Sequence, residues 1–309
     1  MRILPVLTGT MLLILVTSAA AQAAVVRVPA DHATIQEAVD SASDGDVIRV
    51  ARGEYCGATI SKEVHLLGSA GTTIVGCAAP ALGGGLRVGF LLADERASGT
   101  TIAWFGFDGA GVSDTNLAPL AFSVFGRDAH GVSVVGTYTR GTVQAISNSN
   151  GEGWFIAANV IRDLTLFSCP GHCGGGSAIV IQKRIDDGEL AFGNTVLANL
   201  IVGAIPDGHD DFDMTGVFVL GQERPVVAGN RISIPANPAA GVQGIGIQVT
   251  SSCCGLPDEF PRSHGAIIVD NDGRGSELAL VIDAGNADGA RIHHNRGVNV
   301  IEGVISVVP

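Results

Sequence analysis

The chain has 309 residues, of which 43 are glycine, and its formal net charge is −12 at pH 7. Nucleic acids and anionic membrane surfaces are bound through excess lysine and arginine, so this acidic balance argues against both partners. Glycine follows no Gly-X-Y period, which excludes collagen, and a hydrophobic content of 46% is too high for a disordered chain.

Residues 1–23 have the layout of a secretory signal peptide. Arg2 precedes an apolar run over residues 3–21, and the small-residue series Ala21-Gln22-Ala23 follows. We therefore predict cleavage after Ala23 and a mature domain of residues 24–309 that is secreted or periplasmic. The alternative is an uncleaved membrane anchor, because the run is long enough to cross a bilayer. No second run of this length follows, so no transmembrane segment is expected after cleavage.

The next fifty residues predict a capped start to a β-rich domain. Residues 25–28 read as a strand, and Thr34 with Glu37 has the spacing of a capping box. A short helix with one apolar face follows, formed by Ile35, Ala38, Val39 and Ala42. Strand-like segments then come at residues 47–50, 64–67 and 73–75. Such a helix is suited to covering the open end of a solenoid, whose first coil would otherwise expose its apolar interior.

The rest of the chain contains two interleaved series of β-branched runs. The first series, with Asn, Asp or His at its edges, covers residues 130–135, 159–161, 194–202, 230–234 and 290–295. The second covers residues 177–182, 216–220 and 244–249. Asn tolerates the left-handed conformation of tight turns and can hydrogen-bond from one coil to the next, so these edges fit a β-helix. An antiparallel sandwich with Asn turns is the alternative.

Residues 28–55, from Val28 through the helix to Tyr55, resemble the amino-terminal region of right-handed β-helix proteins of the pectin-lyase-like superfamily. The resemblance implies an all-β fold, a single-stranded right-handed parallel β-helix with a short N-terminal capping helix. It also implies a polysaccharide or other glycan as partner. Because the match lies in the cap and first coils, it carries no active-site residues.

Six cysteines in an exported chain are expected to be oxidised. Cys56 and Cys77 are 21 residues apart, about one solenoid turn, so we predict that they stack and form a disulfide. Local disulfides are the simple interpretation of the other four cysteines, pairing Cys169 with Cys173 and Cys253 with Cys254. A metal site in the loop of Cys169, His172 and Cys173 is the alternative, with ligands that suit zinc or copper.

The motifs of known β-helix enzymes are incomplete in this sequence. Gly141-Thr142-Val143-Gln144 resembles part of a pectin methylesterase motif, but Ala145 stands where the catalytic aspartate is expected. The candidate catalytic residues are a carboxylate pair and three possible lyase bases: Asp210, Asp211, Lys183, Arg184 and Arg224. Adjacent carboxylates do not by themselves provide the separation that glycoside hydrolysis requires.

An acidic loop over residues 207–213 is the candidate metal site. Oxygen ligands favour Ca²⁺, and the candidate ligands are Asp207, His209, Asp210 and Asp213. A solvated acidic turn is the alternative interpretation.

Two classes of function follow from the sequence. We favour a secreted protein that binds an extracellular or cell-envelope polysaccharide. The alternative is a carbohydrate-active enzyme, a polysaccharide lyase, hydrolase or epimerase, acting on an acidic glycan. Paired carboxylates or a Lys/Arg pair on stacked coils would favour the enzyme, and a face of small polar residues would favour the binding protein.

Overall fold

A computed structural model describes residues 23–112, 120–164, 176–183, 189–203, 213–236, 243–251 and 260–309. Residues 1–22 of the predicted signal peptide lie outside this set. Within the described ranges, no helix combines the length and apolar character that a bilayer crossing requires.

Three sheets build the molecule, with strands numbered in chain order. Sheet A contains β1 (Val25–Val28), β2 (Asp46–Val50), β5 (Val64–Gly68), β8 (Thr101–Ala103), β11 (Ser133–Val135), β14 (Phe155–Ala157), β18 (Thr195–Leu197), β22 (Val226–Ala228), β25 (Ile267–Val269) and β27 (Arg291–His293). Sheet B contains β3 (Gly53–Cys56), β6 (Thr72–Gly76), β9 (Gly106–Val112), β12 (Tyr138–Arg140), β15 (Val160–Arg162), β19 (Leu200–Val202) and β23 (Arg231–Ser233). Sheet C contains β4 (Ala58–Ile60), β7 (Arg87–Leu92), β10 (Leu120–Arg127), β13 (Gln144–Ser149), β16 (Ser177–Gln182), β20 (Met214–Leu220), β24 (Gly244–Thr250), β26 (Leu278–Ile282), β28 (Gly297–Ile301) and β29 (Val304–Val308).

The remaining elements are short. They are the helix α1 (Ile35–Ser41), two 3-10 turns (Gly83–Gly85 and Glu95–Ala97) and a two-stranded sheet of β17 (Ala191–Phe192) and β21 (Gln222–Glu223).

From β2 to β24 the chain visits sheets A, B and C in turn, the last two coils place strands in sheets A and C, and strands pair with their counterparts in the next coil. The pairings are parallel, as in β11 with β14, β12 with β15 and β13 with β16. The pairing of β28 with β29 is antiparallel. The predicted all-β parallel β-helix is therefore confirmed, and its right-handedness stays a prediction, supported by the strong chiral preference of parallel crossovers.

The first series of runs in the sequence belongs to two sheets and not to one. Residues 194–202 form β18 in sheet A and β19 in sheet B, whereas the second series forms β16, β20 and β24 of sheet C. Three-residue strands joined by a two-residue corner look like one continuous run, because neither strand is long enough to show its own alternation.

Stacked side chains fill the interior. In sheet A, the inward positions form a continuous column: Ile48, Leu66, Ile102, Val134, Ile156, Val196, Val227 and Ile268. Near the first coils, Phe90 contacts Phe105 and Phe107 edge-on, with ring centroids 5.0 and 5.7 Å apart. Such columns need parallel strands in register, so the interior fixes the alignment of each coil on the next.

The helix α1 covers the first coil, as predicted. Its capping box is present, with Glu37 N donating to Thr34 Oγ1 at 3.1 Å and Thr34 N donating to a Glu37 carboxylate oxygen at 3.2 Å. Ile35, Ala38 and Val39 are buried against the interior.

Buried asparagines line the corner between sheets A and B. Asn159, Asn199, Asn230, Asn271 and Asn295 occupy equivalent positions in successive coils, and each Oδ1 from Asn199 onward accepts from the backbone N of the asparagine one coil earlier, at 2.9–3.1 Å. The predicted hydrogen-bonded row is thus confirmed at this corner. The prediction that asparagine itself takes the left-handed conformation is wrong here, because the preceding residue does so, as at Ala158 (φ 55°) and Ala198 (φ 53°). Because the turn is made by the preceding residue, the amide of each asparagine is directed into the corner, where the backbone groups of two coils meet.

The Cys56–Cys77 disulfide is present and joins the first two strands of sheet B, with the two Cα atoms 5.6 Å apart. Cys56 ends β3 and Cys77 follows β6, so the predicted stacking of one coil on the next is confirmed. Cys169, Cys173, Cys253 and Cys254 lie outside the described residues, and their pairing stays a prediction.

Replacing both members of this disulfide, as Cys56→Ala with Cys77→Ala, should lower the free energy of unfolding by about 3 kcal/mol, since the crosslink closes a loop of 21 residues in the unfolded chain. Urea unfolding monitored by the fluorescence of the buried Trp154 measures the change. A double variant with the urea midpoint of the parent protein would show that the crosslink adds no stability.

Candidate functional site

The predicted site residues that the structure describes lie on two separate edges of sheet C. Lys183 follows β16 and Arg224 follows β21, so both lie where sheet C leads into sheet A, in neighbouring coils. Asp213 precedes β20 and therefore lies at the opposite edge of sheet C, where the chain enters that sheet. Its Oδ1 accepts from Gln243 N at 2.9 Å. Seven residues of strand span roughly 20 Å, so Asp213 cannot act on the same atom as Lys183 or Arg224.

Arg184, Asp207, His209, Asp210, Asp211 and the His172 loop lie outside the described residues. Their catalytic and calcium-binding roles stay predictions. Among the residues that are described, no group of three or more His, Cys, Asp and Glu side chains is placed to hold a metal ion.

A different part of the surface brings aromatic side chains together. Trp104 is 58% exposed and Tyr138 is 44% exposed, and both line one open depression of about 620 Å³ beside sheet B. The chain has only two tryptophans and two tyrosines, and the other tryptophan, Trp154, is fully buried. Exposure of a large aromatic ring to water is unfavourable, and a ligand stacked on the ring would bury that surface, so the pair of rings points to a binding surface.

Trp104 holds an unusual backbone conformation. Its φ is 64°, in the left-handed region that disfavours bulky side chains by about 1–2 kcal/mol. The corner between sheets A and B imposes this conformation, as at Gly136 (φ 62°) in the next coil. The corner directs the indole outward, and non-glycine residues take the same conformation at the equivalent corners of later coils, as at Ala158 and Ala198, so this backbone conformation is a property of the fold.

Glycines make room for the indole and for the backbone of Trp104. A Cβ added at Gly136 would lie 3.0 Å from the indole Cδ1, and a Cβ added at Gly68 would lie 2.6 Å from the Trp104 carbonyl oxygen. Gly106 pairs with both Thr73 and Tyr138, so the space between these two side chains stays open. The depression is therefore floored by backbone and walled by two rings and a threonine.

A row of charges continues the same face of sheet B. Asp108, Arg140 and Arg162 are neighbours across three strands, and Arg140 lies two residues from Tyr138 on β12. An Asp108 carboxylate oxygen lies 2.6 Å from an Arg140 guanidinium nitrogen. The hydrogen bond that the Arg140 guanidinium donates to this carboxylate, together with the carboxylate's charge, raises the pKa of Arg140, so the side chain is a fixed cation and not a proton acceptor.

The arrangement can bind a flat ligand with apolar ring faces and anionic substituents. Exposed rings offer stacking surfaces, and guanidinium groups bind carboxylates with planar, paired hydrogen bonds. Successive strands repeat at about 4.8 Å along the solenoid, which suits an extended polymer better than a compact molecule.

None of the residues that line this depression was predicted as a site residue from the sequence. Alternation over residues 103–107 could have placed Trp104 opposite the buried Phe105 and Phe107. No sequence signal places Trp104 beside Tyr138, which lies 34 positions further along the chain, because that proximity depends on the length of each coil.

Comparison with known proteins supports no assignment of activity. No family model matches the sequence, and no curated protein matches it. Among solved structures, the surface adhesin PfbA of Streptococcus pneumoniae is 13% identical with a TM-score of 0.46, over 86% of this chain and 74% of that one. The tailspike protein gp49 of Acinetobacter baumannii bacteriophage Fri1, a capsular polysaccharide depolymerase, is 11% identical with a TM-score of 0.44, over 93% of this chain and 62% of that one.

The A-module of the mannuronan C-5 epimerase AlgE4 of Azotobacter vinelandii is 13% identical with a TM-score of 0.31, over 86% of this chain and 90% of that one. Similarity at this level assigns no function. The chain's own three sheets, whose strands pair in parallel from coil to coil except at β29, define its class: a parallel β-helix protein.

Proposed function

We propose that this chain is an exported protein that binds a polysaccharide along sheet B, with Trp104 and Tyr138 as the central contacts. The observation that supports the proposal is the placement of two exposed aromatic side chains around one open, glycine-floored depression. The predicted signal peptide and the Cys56–Cys77 disulfide support an extracellular or periplasmic location.

The row of Arg140 and Arg162 favours glycans that carry carboxylates. The guanidinium groups of these two residues lie on stacked coils, and only Arg140 lies opposite Asp108 in the strand register. Together they would bind anionic substituents beside the aromatic contacts. This stacked pair also favours the second candidate function, an enzyme acting on an acidic glycan. Because the pKa of Arg140 is raised, this residue would serve such an enzyme as a substrate contact and not as its base.

Replacing the exposed tryptophan, as Trp104→Ala, should weaken glycan binding about 10- to 100-fold, which is the usual loss when a central aromatic contact is truncated. Affinity electrophoresis or calorimetry over a panel of neutral and acidic polysaccharides measures the effect. The matched control is Phe192→Ala, which removes an aromatic side chain that is 50% exposed on β17. Parent-like binding by Trp104→Ala, or equal losses in both variants, would contradict the proposal.

The stability of Trp104→Ala should stay within about 1 kcal/mol of the parent, because alanine keeps the Cβ that φ 64° already accommodates and the lost ring is more than half exposed. The binding loss is thereby separated from unfolding.

The same panel of polysaccharides, assayed for unsaturated uronate products and new reducing ends, tests the second candidate function. A flat result for every glycan that binds would rule out lyase and hydrolase activity on that glycan.

A further inference from the structure

The two outer edges of sheet C differ in whether another part of the chain covers their backbone groups. At the first edge, the side chain of Gln36 on α1 covers β4, where its Oε1 accepts from Thr59 N at 2.8 Å and its Nε2 donates to Thr59 O at 3.2 Å. The amide thus occupies the backbone groups that another strand would use. At the opposite edge lies β29, whose five residues are all exposed.

Within its five residues, the edge strand β29 has neither the lysine nor the proline that usually protects against strand pairing, and Pro309 follows it directly. Its side chains Val304, Ile305 and Val307 are 69%, 70% and 71% exposed, and the strand contains no charge and no proline. Natural edge strands are normally protected by lysine, proline, a bulge or a covering element. An uncovered apolar edge on an otherwise acidic protein indicates a strand that pairs with another strand.

The register of the hairpin shows which backbone groups face outward. β28 and β29 are joined by Glu302 (φ 47°) and Gly303 (φ 82°), the positive values of a two-residue hairpin turn, and Ile301 lies opposite Val304. In such a hairpin the residues next to the turn form a hydrogen-bonded pair, and this alternates along the strand. The N–H and C=O groups of Val304, Ser306 and Val308 therefore face β28, and those of Ile305 and Val307 face outward.

We propose that β29 pairs with β29 of a second copy of this chain, across a twofold axis at Ser306. The twofold makes the two strands antiparallel and sets Ile305 opposite Val307 of the partner, so the outward groups of both residues form four backbone hydrogen bonds. The strand is nearly symmetric about Ser306 in its side chains, and it carries no charge that would meet a like charge on an identical strand. These two properties select a second copy as the occupant.

The dimer forms by mass action. A junction of two five-residue strands buries less than the ~1,200 Å² of a standard stable interface, so we expect a dimer that dissociates on dilution, with a dissociation constant in the micromolar range or above. Sedimentation velocity of the full mature protein over a concentration series measures it. A monomer at every concentration up to roughly a millimolar would overturn the proposal.

Two variants locate the contact. Val307→Pro removes an outward N–H that β28 does not use and should shift the equilibrium to monomer, whereas the control Leu197→Lys, an exposed position on sheet A, should leave it unchanged.

Ser306→Cys should give a disulfide-linked dimer under mild oxidation, because residues facing each other in a non-hydrogen-bonded pair have Cα atoms about 4.5 Å apart. The control Ala284→Cys, exposed in a turn of a neighbouring coil, should not crosslink. A dimer that survives Val307→Pro, or Ser306→Cys that fails to crosslink, would place the contact elsewhere and overturn the proposal.

Discussion

Gly57→Ala should destabilise the protein by at least about 4 kcal/mol or prevent folding. A Cβ at this position would lie 1.5 Å from the carbonyl oxygen of Gly89 in the next coil. Pairing of β4 with β7 holds the backbone of both glycines in place. No side-chain rotation relieves such a clash, so the first two coils would have to separate. Overpacking a core typically costs about 1–3 kcal/mol, and a larger loss is expected here because the clash is with backbone that cannot move aside.

The matched control is Gly83→Ala, which also adds one methyl group to a glycine. Nothing lies within 4 Å of the added Cβ, so its free energy of unfolding should stay within about 0.5 kcal/mol of the parent. Urea unfolding followed by circular dichroism and by Trp154 fluorescence compares the two variants. If Gly57→Ala unfolds within about 1 kcal/mol of Gly83→Ala, the close approach of the coils is not as the structure shows it.

Asn199→Ala should cost about 3–5 kcal/mol. The Asn199 amide sits in the middle of the buried row and makes four hydrogen bonds, two accepted from the Asn159 N and Nδ2 and two donated to Asn230 Oδ1 and Ile156 O. Truncation leaves the buried N–H of Asn159 without an acceptor, and an unsatisfied buried donor costs more than the bond itself contributed.

The control for this variant is Thr137→Val at the first position of the row. It removes one hydrogen bond, from Thr137 Oγ1 to Asn159 Oδ1 at 2.8 Å, and Asn159 Oδ1 still accepts from Thr137 N. We expect a loss of about 1 kcal/mol. Equal effects of the two substitutions in chemical denaturation would show that the four bonds of the Asn199 amide contribute no more than the single bond of Thr137, and would contradict the prediction.

Much of the scaffold could be predicted from the residues because its signals are local. Thr34 and Glu37 lie three positions apart, so the start of α1 can be read from the sequence, and the apolar face of the helix follows from its periodicity. Cys56 and Cys77 could be paired from a spacing of one coil. The three-sheet cross-section could not be predicted, because β18 and β19 are three residues each and merge into one run.

The candidate site is harder to predict than the scaffold. The site residues predicted from the sequence were ionisable ones, and those that the structure describes lie on two edges of sheet C, Asp213 on one and Lys183 with Arg224 on the other. Trp104, Tyr138 and Arg140 were not selected, since no local pattern distinguishes an outward aromatic from any other surface residue.

The sequence by itself determined the parallel β-helix, its helical cap and its first disulfide, because each depends on side chains within one or two coils. The tertiary structure alone decided which surfaces are available for binding. Stacking sets Trp104 beside Tyr138, aligns Arg140 with Arg162, and leaves β29 uncovered while Gln36 covers β4. The physical reason is register: the number of residues in each coil fixes which side chains become neighbours, and that number varies from coil to coil with no mark in the local sequence.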